Sequence, residues 1–215
     1  PTFNRKNVEL VTDDVSHFTE NGIVTKDGKE RKLDCVILGT GFVVDPRVYM
    51  KSFELRGLNG HTIQEDWKVS PTAYLGITAA NYPNMYQLVG PHTGLGHNSI
   101  IFMIEAQADY IVNCVKLLQA KGGGYLDVKE AAQNRFLGEM TQALKGTVWD
   151  SGCKSWYQTA EGINFAIWPK STWRYWLATR KVNEADYRFV KCAGQSNQDT
   201  ARVPGGQAMA QTAAR

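Results

Sequence analysis

The sequence predicts an α/β fold, and three stretches of the chain indicate it. Residues 33–38 are apolar without alternation after Asp34, which is typical of a strand buried on both faces of a parallel sheet. Residues 85–89 predict another short buried strand. A long helix is predicted over residues 100–119, because apolar side chains recur at spacings of three and four: Ile100, Ile104, Ala108, Ile111, Val115 and Leu118.

The first 32 residues predict a small antiparallel meander. Residues 8–11 are β-branched and alternating, and residues 23–25 and 29–32 follow two turn dipeptides, Asn21-Gly22 and Asp27-Gly28. The next strand, residues 33–38, ends in Gly39-Thr40-Gly41-Phe42. This ending is either an ordinary glycine turn or a crossing between domains close to a bound nucleotide.

Residues 43–72 have no lasting period, and residues 73–77 predict one more strand. A glycine-rich loop, residues 90–99 (GPHTGLGHNS), lies between the strand at 85–89 and the long helix. Free backbone N–H groups and a positive helix end meet at such a place, and glycines allow close approach of a flat or anionic ligand. The alternative is an ordinary βα loop, in which His92 and His97 are satisfied loop histidines.

Two helices follow from glycine and capping signals. Asn98 or Ser99 can cap the long helix, and Gly122-Gly123-Gly124 end it. Residues 127–145 predict a peripheral helix, since Asp127 and Glu130 have the spacing of a capping box.

Residues 149–176 hold five of the six tryptophans, Trp149, Trp156, Trp168, Trp173 and Trp176. Aromatic side chains at this density predict a compact extension held onto the main domain, with an aromatic ligand platform as the alternative. Residues 193–215 predict a disordered tail, because only Val203 and Met209 are large and apolar there.

Composition narrows the functional class. The chain has 215 residues, 43% of them hydrophobic and 21% charged, and a net charge of +3 without a basic run, which gives no argument for nucleic acid. No stretch reaches the length of a membrane span. The four cysteines form no CxxC pair, so we expect a reducing, cytoplasmic location and no zinc site. Because the chain begins at Pro1, we expect a fragment of a longer protein.

Three stretches, taken in order, carry a family resemblance. Residues 34–42 (DCVILGTGF) resemble the D-x-x-x-ATG-F/Y segment of flavin-containing and Baeyer–Villiger monooxygenases. The glycine-rich loop with its helix is similar to their flavin-side loop. Residues 153–157 (CKSWY), followed by Ile167-Trp168-Pro169, are similar to their C-terminal Trp-containing loop. The resemblance extends from about Asn4 to Tyr187 and points to the class B flavin monooxygenases, particularly the Baeyer–Villiger side.

The resemblance implies the C-terminal part of a flavoprotein with two Rossmann-like dinucleotide domains, of which the NADPH domain is inserted into the FAD domain. Residues 1–42 would end the NADPH-binding domain, and residues 43–122 would be the C-terminal segment of the FAD-binding domain. Residues 123–192 would be an extension with the Trp-rich loop.

The implied activity belongs to the whole enzyme. FAD and NADPH would be its cofactors, and one oxygen atom of O₂ would enter a small ketone or a soft heteroatom. Trp156 matches the mobile-loop tryptophan that closes over NADPH in relatives. The resemblance implies these cofactor-binding residues: Gly39, Thr40, Gly41, His92, Thr93, Gly94, Leu95, Gly96, Asn98 and Trp156. It assigns no catalytic residue and no metal ligand.

One departure from the family limits the expectation. The phosphate-binding fingerprint GxGxxG is absent from the sequence, so this chain alone is expected to be inactive and to depend on the remainder of the same enzyme upstream. Two alternatives stay open: a fragment of another two-dinucleotide flavoprotein oxidoreductase, and a non-catalytic binding module that uses an exposed aromatic surface.

Overall fold

The structure, a computed structural model, describes residues 1–152 and 155–191. It divides the chain into two compact units, Pro1–Phe42 and a second unit that begins at Val43. The predicted disordered tail, residues 193–215, lies outside the described residues.

The first unit holds a three-stranded antiparallel sheet in the order β1-β2-β3. Its strands are β1 (Val15–Thr19), β2 (Gly22–Thr25) and β3 (Glu30–Lys32). Thr19 pairs with Gly22 across a tight turn, and Gly22 in turn pairs with Lys32. The strand predicted at residues 8–11 is wrong, because those residues have no regular structure and the first strand begins later.

The buried parallel strand predicted at residues 33–38 is also wrong. These residues follow β3 as irregular chain, and the side chain of Ile37 is 91% exposed. A strand buried on both faces needs hydrogen-bonded neighbours and covering layers. Within the described part of this unit, the only sheet is the one formed by β1, β2 and β3, and residues 33–38 do not join it.

The second unit is mainly helical. Its helices are α1 (Pro46–Tyr49), α2 (Ile63–Asp66), α3 (Ile100–Ala120), α4 (Glu130–Leu144) and α5 (Thr172–Thr179). Two strands, β4 (Tyr125–Val128) and β5 (Tyr187–Val190), pair antiparallel with Tyr125 opposite Val190. The prediction of α3 is confirmed to within one residue at its C-terminal end.

The strands predicted at residues 73–77 and 85–89 are wrong, since both segments are turns and irregular chain. The first is a tight turn closed by Tyr74 and Thr78, in which Leu75 and Gly76 have φ of 55° and 67°. Its apolar side chains are buried in the core rather than in a sheet. The apolar run at residues 73–77 therefore reflects burial in the core and not membership of a sheet.

The main core lies where α3 meets α4, α5 and the β4–β5 pair. It contains Met103, Tyr110 and Cys114 from α3, Phe136 and Met140 from α4, and Tyr175 from α5. A smaller cluster surrounds Trp67 beside α2, and a third joins Leu144 to Tyr157 and Ile167. The third cluster ties the aromatic segment to the end of α4.

Asp127 is not the cap of α4, in contrast to the sequence-based expectation. The helix begins at Glu130, and the fully buried Asp127 side chain lies on β4. It accepts a hydrogen bond from the backbone N–H of Asn81 at 2.9 Å and forms an ion pair with Arg188 of β5. The carboxylate therefore ties the β4–β5 pair to the turn at Asn81.

The tryptophans serve different roles. Trp168 is 2% exposed and lies in the main core, whereas Trp156 is 57% exposed. Trp173 is exposed on α5 and stacks on Trp176 with ring centroids 4.6 Å apart. Dense aromatic composition therefore marks a segment that is partly core and partly surface.

Candidate functional site

A cleft of about 680 Å³ opens in the second unit beside the glycine-rich loop. It is lined by three segments: residues 43–50, residues 87–95 with Ile100, and Trp156 with Phe165 and Ala166. None of the described residues that line it carries a charge. A mostly apolar cleft of this volume is typical of a small-molecule or cofactor site.

Hydrogen bonds fasten the glycine-rich loop to the segment at residues 165–168. The backbone N–H groups of His92 and Gly94 donate to the carbonyls of Phe165 and Ala166, each at 2.7 Å, and Trp168 N–H donates to Gly94 O at 2.9 Å. Gly94 and Ile167 form a parallel bridge. Two of the donors expected for a ligand are therefore already used inside the protein.

Gly94 and Gly96 lack side chains for a reason that lies within the chain. A Cβ at Gly94 would lie 2.8 Å from the carbonyl oxygen of Ala166. One at Gly96 would lie 2.3 Å from the ring of Trp149. Both spaces are filled by the aromatic segment, so close packing accounts for the two glycines. Their approach to a flavin stays a prediction.

His92 is a structural residue of the loop. It is buried with φ of 59°, and its Nδ1 lies 3.3 Å from the carbonyl oxygen of Ile167. Burial lowers its pKa to about 4, so the ring is neutral at pH 7 and Nδ1–H donates to that carbonyl. The ring also stands edge-on to Phe136, with centroids 6.3 Å apart.

The other predicted site residues divide between the cleft and its support. Leu95 and Trp156 line the cleft together with Gly94. Thr93 is fully buried and donates to Gly90 O at 2.6 Å, while Asn98 donates to Thr172 at the start of α5 at 3.0 Å. Neither side chain is among those that line the cleft. Gly39, Thr40 and Gly41 lie in the first unit, in irregular chain.

Sequence reasoning missed several residues of the cleft wall. Val89 lines it with φ of 55°, and no pattern in the sequence predicts a left-handed valine. Gln87 also lines it, and its buried Nε2 has no hydrogen-bond partner among the described residues. The one signal available for Gln87 was its polarity inside an apolar run.

The lining side chains offer little acid–base chemistry. Tyr49 is the only lining residue with a titratable side chain, and burial raises its pKa, with nearby Asp45 adding to the shift. In the described residues, no three His, Cys, Asp or Glu side chains cluster closely enough to hold a metal ion. The walls of the cleft can therefore bind and orient a ligand and exclude water from it.

Comparison with known proteins shows what this chain is similar to. No protein-family profile matches the chain. A Baeyer–Villiger monooxygenase of Pseudomonas aeruginosa is 37% identical over 193 residues, which are 88% of this chain and 36% of that protein. The chain is a homologue of the Baeyer–Villiger monooxygenases. It spans about a third of the length of the relatives that it matches.

Solved structures of monooxygenases match the same part of the chain. An oxidised steroid monooxygenase bound to NADP superposes with a TM-score of 0.70 and 26% identity, covering 89% of this chain and 36% of that one. OTEMO, in complex with FAD and NADP, superposes with a TM-score of 0.71 and 25% identity, covering 88% and 36%. The described residues of this monooxygenase homologue thus form a mixed helix-and-strand architecture that superposes on about a third of these NADP-bound enzymes. None of the described helices combines the length and apolar character needed to cross a bilayer.

Proposed function

We propose that the chain is the C-terminal segment of an FAD- and NADPH-dependent monooxygenase. The enzyme would insert one oxygen atom from O₂ into a ketone, in the Baeyer–Villiger manner, or into a soft heteroatom. The observation that carries the proposal is the 37% identity to a Baeyer–Villiger monooxygenase over 88% of this chain. The cysteine pattern supports a cytoplasmic location, and Cys35 and Cys114 are free thiols.

The cleft suits an apolar ring system better than a phosphate. Its described walls have no charged side chain, and the sequence has no GxGxxG turn to hold a pyrophosphate. Bound FAD and NADPH would supply the redox chemistry. The part of this chain would be to wall the flavin's edge with Gly94 and Leu95 and to exclude water.

Trp156 would contribute another part of the cleft wall. It is more than half exposed while still packing edge-on against Tyr157, with centroids 5.7 Å apart. A tryptophan that packs against one aromatic neighbour and is more than half exposed is suited to cover a second cofactor. The exposure of Trp156 supports the role that the family resemblance implies for it, which is to close over NADPH.

The rest of the enzyme would cover apolar surface that this chain leaves exposed. In the first unit, Ile37, Leu38 and Phe42 are exposed, and along α3 an exposed stripe contains Ile101, Val112 and Val115. Burial of such surface contributes about 25 cal/mol per Å². Residues 1–42 would complete an NADPH-binding domain, residues 43–122 an FAD-binding domain, and residues 123–192 the extension.

Isotope incorporation by the full-length protein that carries this chain tests the proposal. The purified protein should contain FAD, and with NADPH and ¹⁸O₂ it should convert a ketone to an ester with one labelled oxygen, or a sulfide to a labelled sulfoxide. Mass spectrometry of both products decides between the two reactions. A protein without flavin that consumes no NADPH with either substrate would overturn the proposal.

The two alternatives give different results in the same experiment. Another two-dinucleotide flavoprotein oxidoreductase would consume NADPH without placing ¹⁸O in the organic product. The binding-module hypothesis draws support from the stacked pair Trp173 and Trp176 on α5, of which Trp173 is exposed and Trp176 half-buried. However, the guanidinium of Arg180 lies 4.8 Å from the Trp176 ring centre and covers part of that platform.

A further inference from the structure

Gln107 is a polar residue in the middle of the apolar helix α3, and it is 0% exposed. Its Oε1 accepts a hydrogen bond from the backbone N–H of Val89 at 2.9 Å, and its Nε2 donates to the hydroxyl of Tyr175 at 2.9 Å. The Tyr175 hydroxyl donates in turn to the carbonyl oxygen of Leu75 at 2.7 Å. One buried chain of three hydrogen bonds thus joins a cleft residue to two helices and a distant turn.

The groups at the two ends of this series of hydrogen bonds determine which group donates at each step. A backbone N–H can only donate and a backbone carbonyl can only accept, so Val89 requires an acceptor and Leu75 a donor. The single Tyr175 proton goes to Leu75, and the hydroxyl must therefore accept from Gln107. A neutral amide supplies the acceptor and the donor together, and it buries no charge.

Both ends of this series of hydrogen bonds are backbone positions of unfavourable conformation. Val89 and Leu75 each have φ of 55°. A β-branched residue in the left-handed region is an outlier that persists only where its surroundings hold it. The two turns also pack on each other, since a Cβ at Gly76 would lie 2.2 Å from Thr93 Cγ2 and 2.8 Å from Pro91 O.

We propose that Gln107 is a positioning residue of the cleft, which holds Val89 in its left-handed conformation and thereby sets the wall formed by Val89 and Gly90. Gln107 does not line the cleft itself, so it acts only through the backbone of Val89. The inference rests on the proposed function in one respect, namely that this cleft receives the ligands of the reaction.

The first test is Gln107→Met in the full-length protein, because methionine keeps the length and loses both hydrogen bonds. Hydrogen–deuterium exchange of the peptide covering residues 86–90 should accelerate roughly tenfold, the effect of losing one hydrogen bond of ordinary strength. The KM for the ketone should rise by a similar factor while kcat changes little. Unchanged exchange in this peptide would overturn the inference.

Val89→Gly provides the decisive rescue. Glycine adopts positive φ without cost. It should therefore not need the hydrogen bond from the residue 89 N–H to Gln107 Oε1, which we call the Gln107 clamp. In the Val89→Gly background, Gln107→Met should leave KM unchanged relative to Val89→Gly alone. If Gln107→Met raises KM equally in both backgrounds, the residue is merely structural and the inference fails.

Two further variants separate position from stability. Gln107→Glu keeps an acceptor for the Val89 N–H, so it should lower Tm while KM stays near the wild-type value. Tyr187→Phe removes a buried hydroxyl that bonds to Thr78 and Tyr110 and has no link to Val89. It should lower Tm without changing exchange at residues 86–90, and a change there would contradict the inference.

The exchange results do not depend on catalysis. Accelerated exchange in a protein that oxygenates no substrate would overturn the proposed function and leave the clamp intact. Normal oxygenation with unchanged exchange in Gln107→Met would overturn the clamp alone.

Discussion

Contacts within the chain hold the glycine-rich loop in place beside the cleft. His92 is an example. It belongs to the glycine-rich loop that the sequence singled out as a ligand site, and its ring is buried and neutral. Its hydrogen bond to Ile167 and its edge-on contact with Phe136 hold the loop in place. The histidine is therefore a pH-sensitive support of the site rather than a reagent in it.

The lowered pKa of His92 predicts a loss of stability in acid. An unfolded histidine titrates near pH 6.5 and the folded one at about 4, so between these values the unfolded state binds more protons. The contribution of neutral His92 to the free energy of unfolding should be fully present above pH 6.5. It should fall as the pH drops toward 4, by about 3 kcal/mol in total.

Urea denaturation at a series of pH values measures this effect. Asparagine has no titratable group and tolerates positive φ. The free energy of unfolding of His92→Asn should therefore vary less between pH 6.5 and 4 than that of the wild type. His97→Asn, at an exposed position of the same loop, is the control and should keep the wild-type slope. Equal slopes in wild type and His92→Asn would refute the prediction.

A second residue-scale prediction concerns Gly96. Because a Cβ there would lie 2.3 Å from Trp149, Gly96→Ala should shift that ring and cost about 1–3 kcal/mol of stability, the range for overpacking. Gly138 is the matched control, since it is helical, exposed and has open space around it. Gly138→Ala should stabilise by about 0.5–1 kcal/mol.

The flavin hypothesis makes a separate demand on Gly96→Ala. If the loop walls the flavin, the full-length variant should also lose FAD or reduce it more slowly. Thermal melts and flavin content of the two glycine variants distinguish these effects. A stable Gly96→Ala variant with normal flavin content and reduction rate would remove the loop from the site.

Among the elements, the long helix α3 and the short strands β2 and β3 were predictable from the sequence, whereas the strands predicted from apolar runs did not form. The 3.6-residue period of α3 is a local property, and its bounds follow within one residue. The strands predicted at 33–38, 73–77 and 85–89 rested on apolar runs, and an apolar run carries no information about a hydrogen-bonded neighbour. Asp127 was misassigned for the same reason, because its partner Arg188 lies far along the chain.

The candidate site was predictable only in part. The loop and Trp156 were found from motifs, and both reach one cleft. Val89, Gln87 and Gln107 were missed, because left-handed backbone and long-range hydrogen bonds leave no local pattern. What the sequence shows is which segments meet; which atoms face the cleft is decided by packing.

The exposure of Trp156 gives the element-scale prediction. If this loop covers NADPH, Trp156→Ala in the full-length protein should raise the KM for NADPH and leave FAD content unchanged. Its stability cost should lie well below the 3–5 kcal/mol typical of a buried tryptophan, since 57% of the side chain is exposed.

Trp168→Ala is the matched comparison, because Trp168 is 2% exposed and packs on Phe136 and Tyr175. It should cost about 3–5 kcal/mol. A thermal melt beside an NADPH titration separates the two tryptophans. A large loss of Tm in Trp156→Ala with unchanged dependence on NADPH would assign it to the core instead.

For the whole molecule, the mismatch between composition and structure is itself informative. The sequence has the apolar runs of a parallel α/β sheet, but the described residues form only short antiparallel sheets. Ile37, Leu38 and Phe42 are exposed as a result. This chain matches about a third of the length of the homologous monooxygenases, and under the proposed function the remainder of the enzyme would cover these side chains.

The last prediction concerns FAD binding by the isolated chain. The isolated 215-residue chain should not retain FAD, because most backbone donors for the pyrophosphate come from a GxGxxG turn that the sequence lacks. The apolar cleft can contact only part of the cofactor, and contact with a ring edge does not replace a phosphate cradle. After incubation with FAD and dialysis, the chain should show no flavin absorbance, whereas the full-length protein treated in the same way should be yellow. A stoichiometric yellow complex of the isolated chain would mean that the cleft and loop hold the cofactor without the phosphate turn.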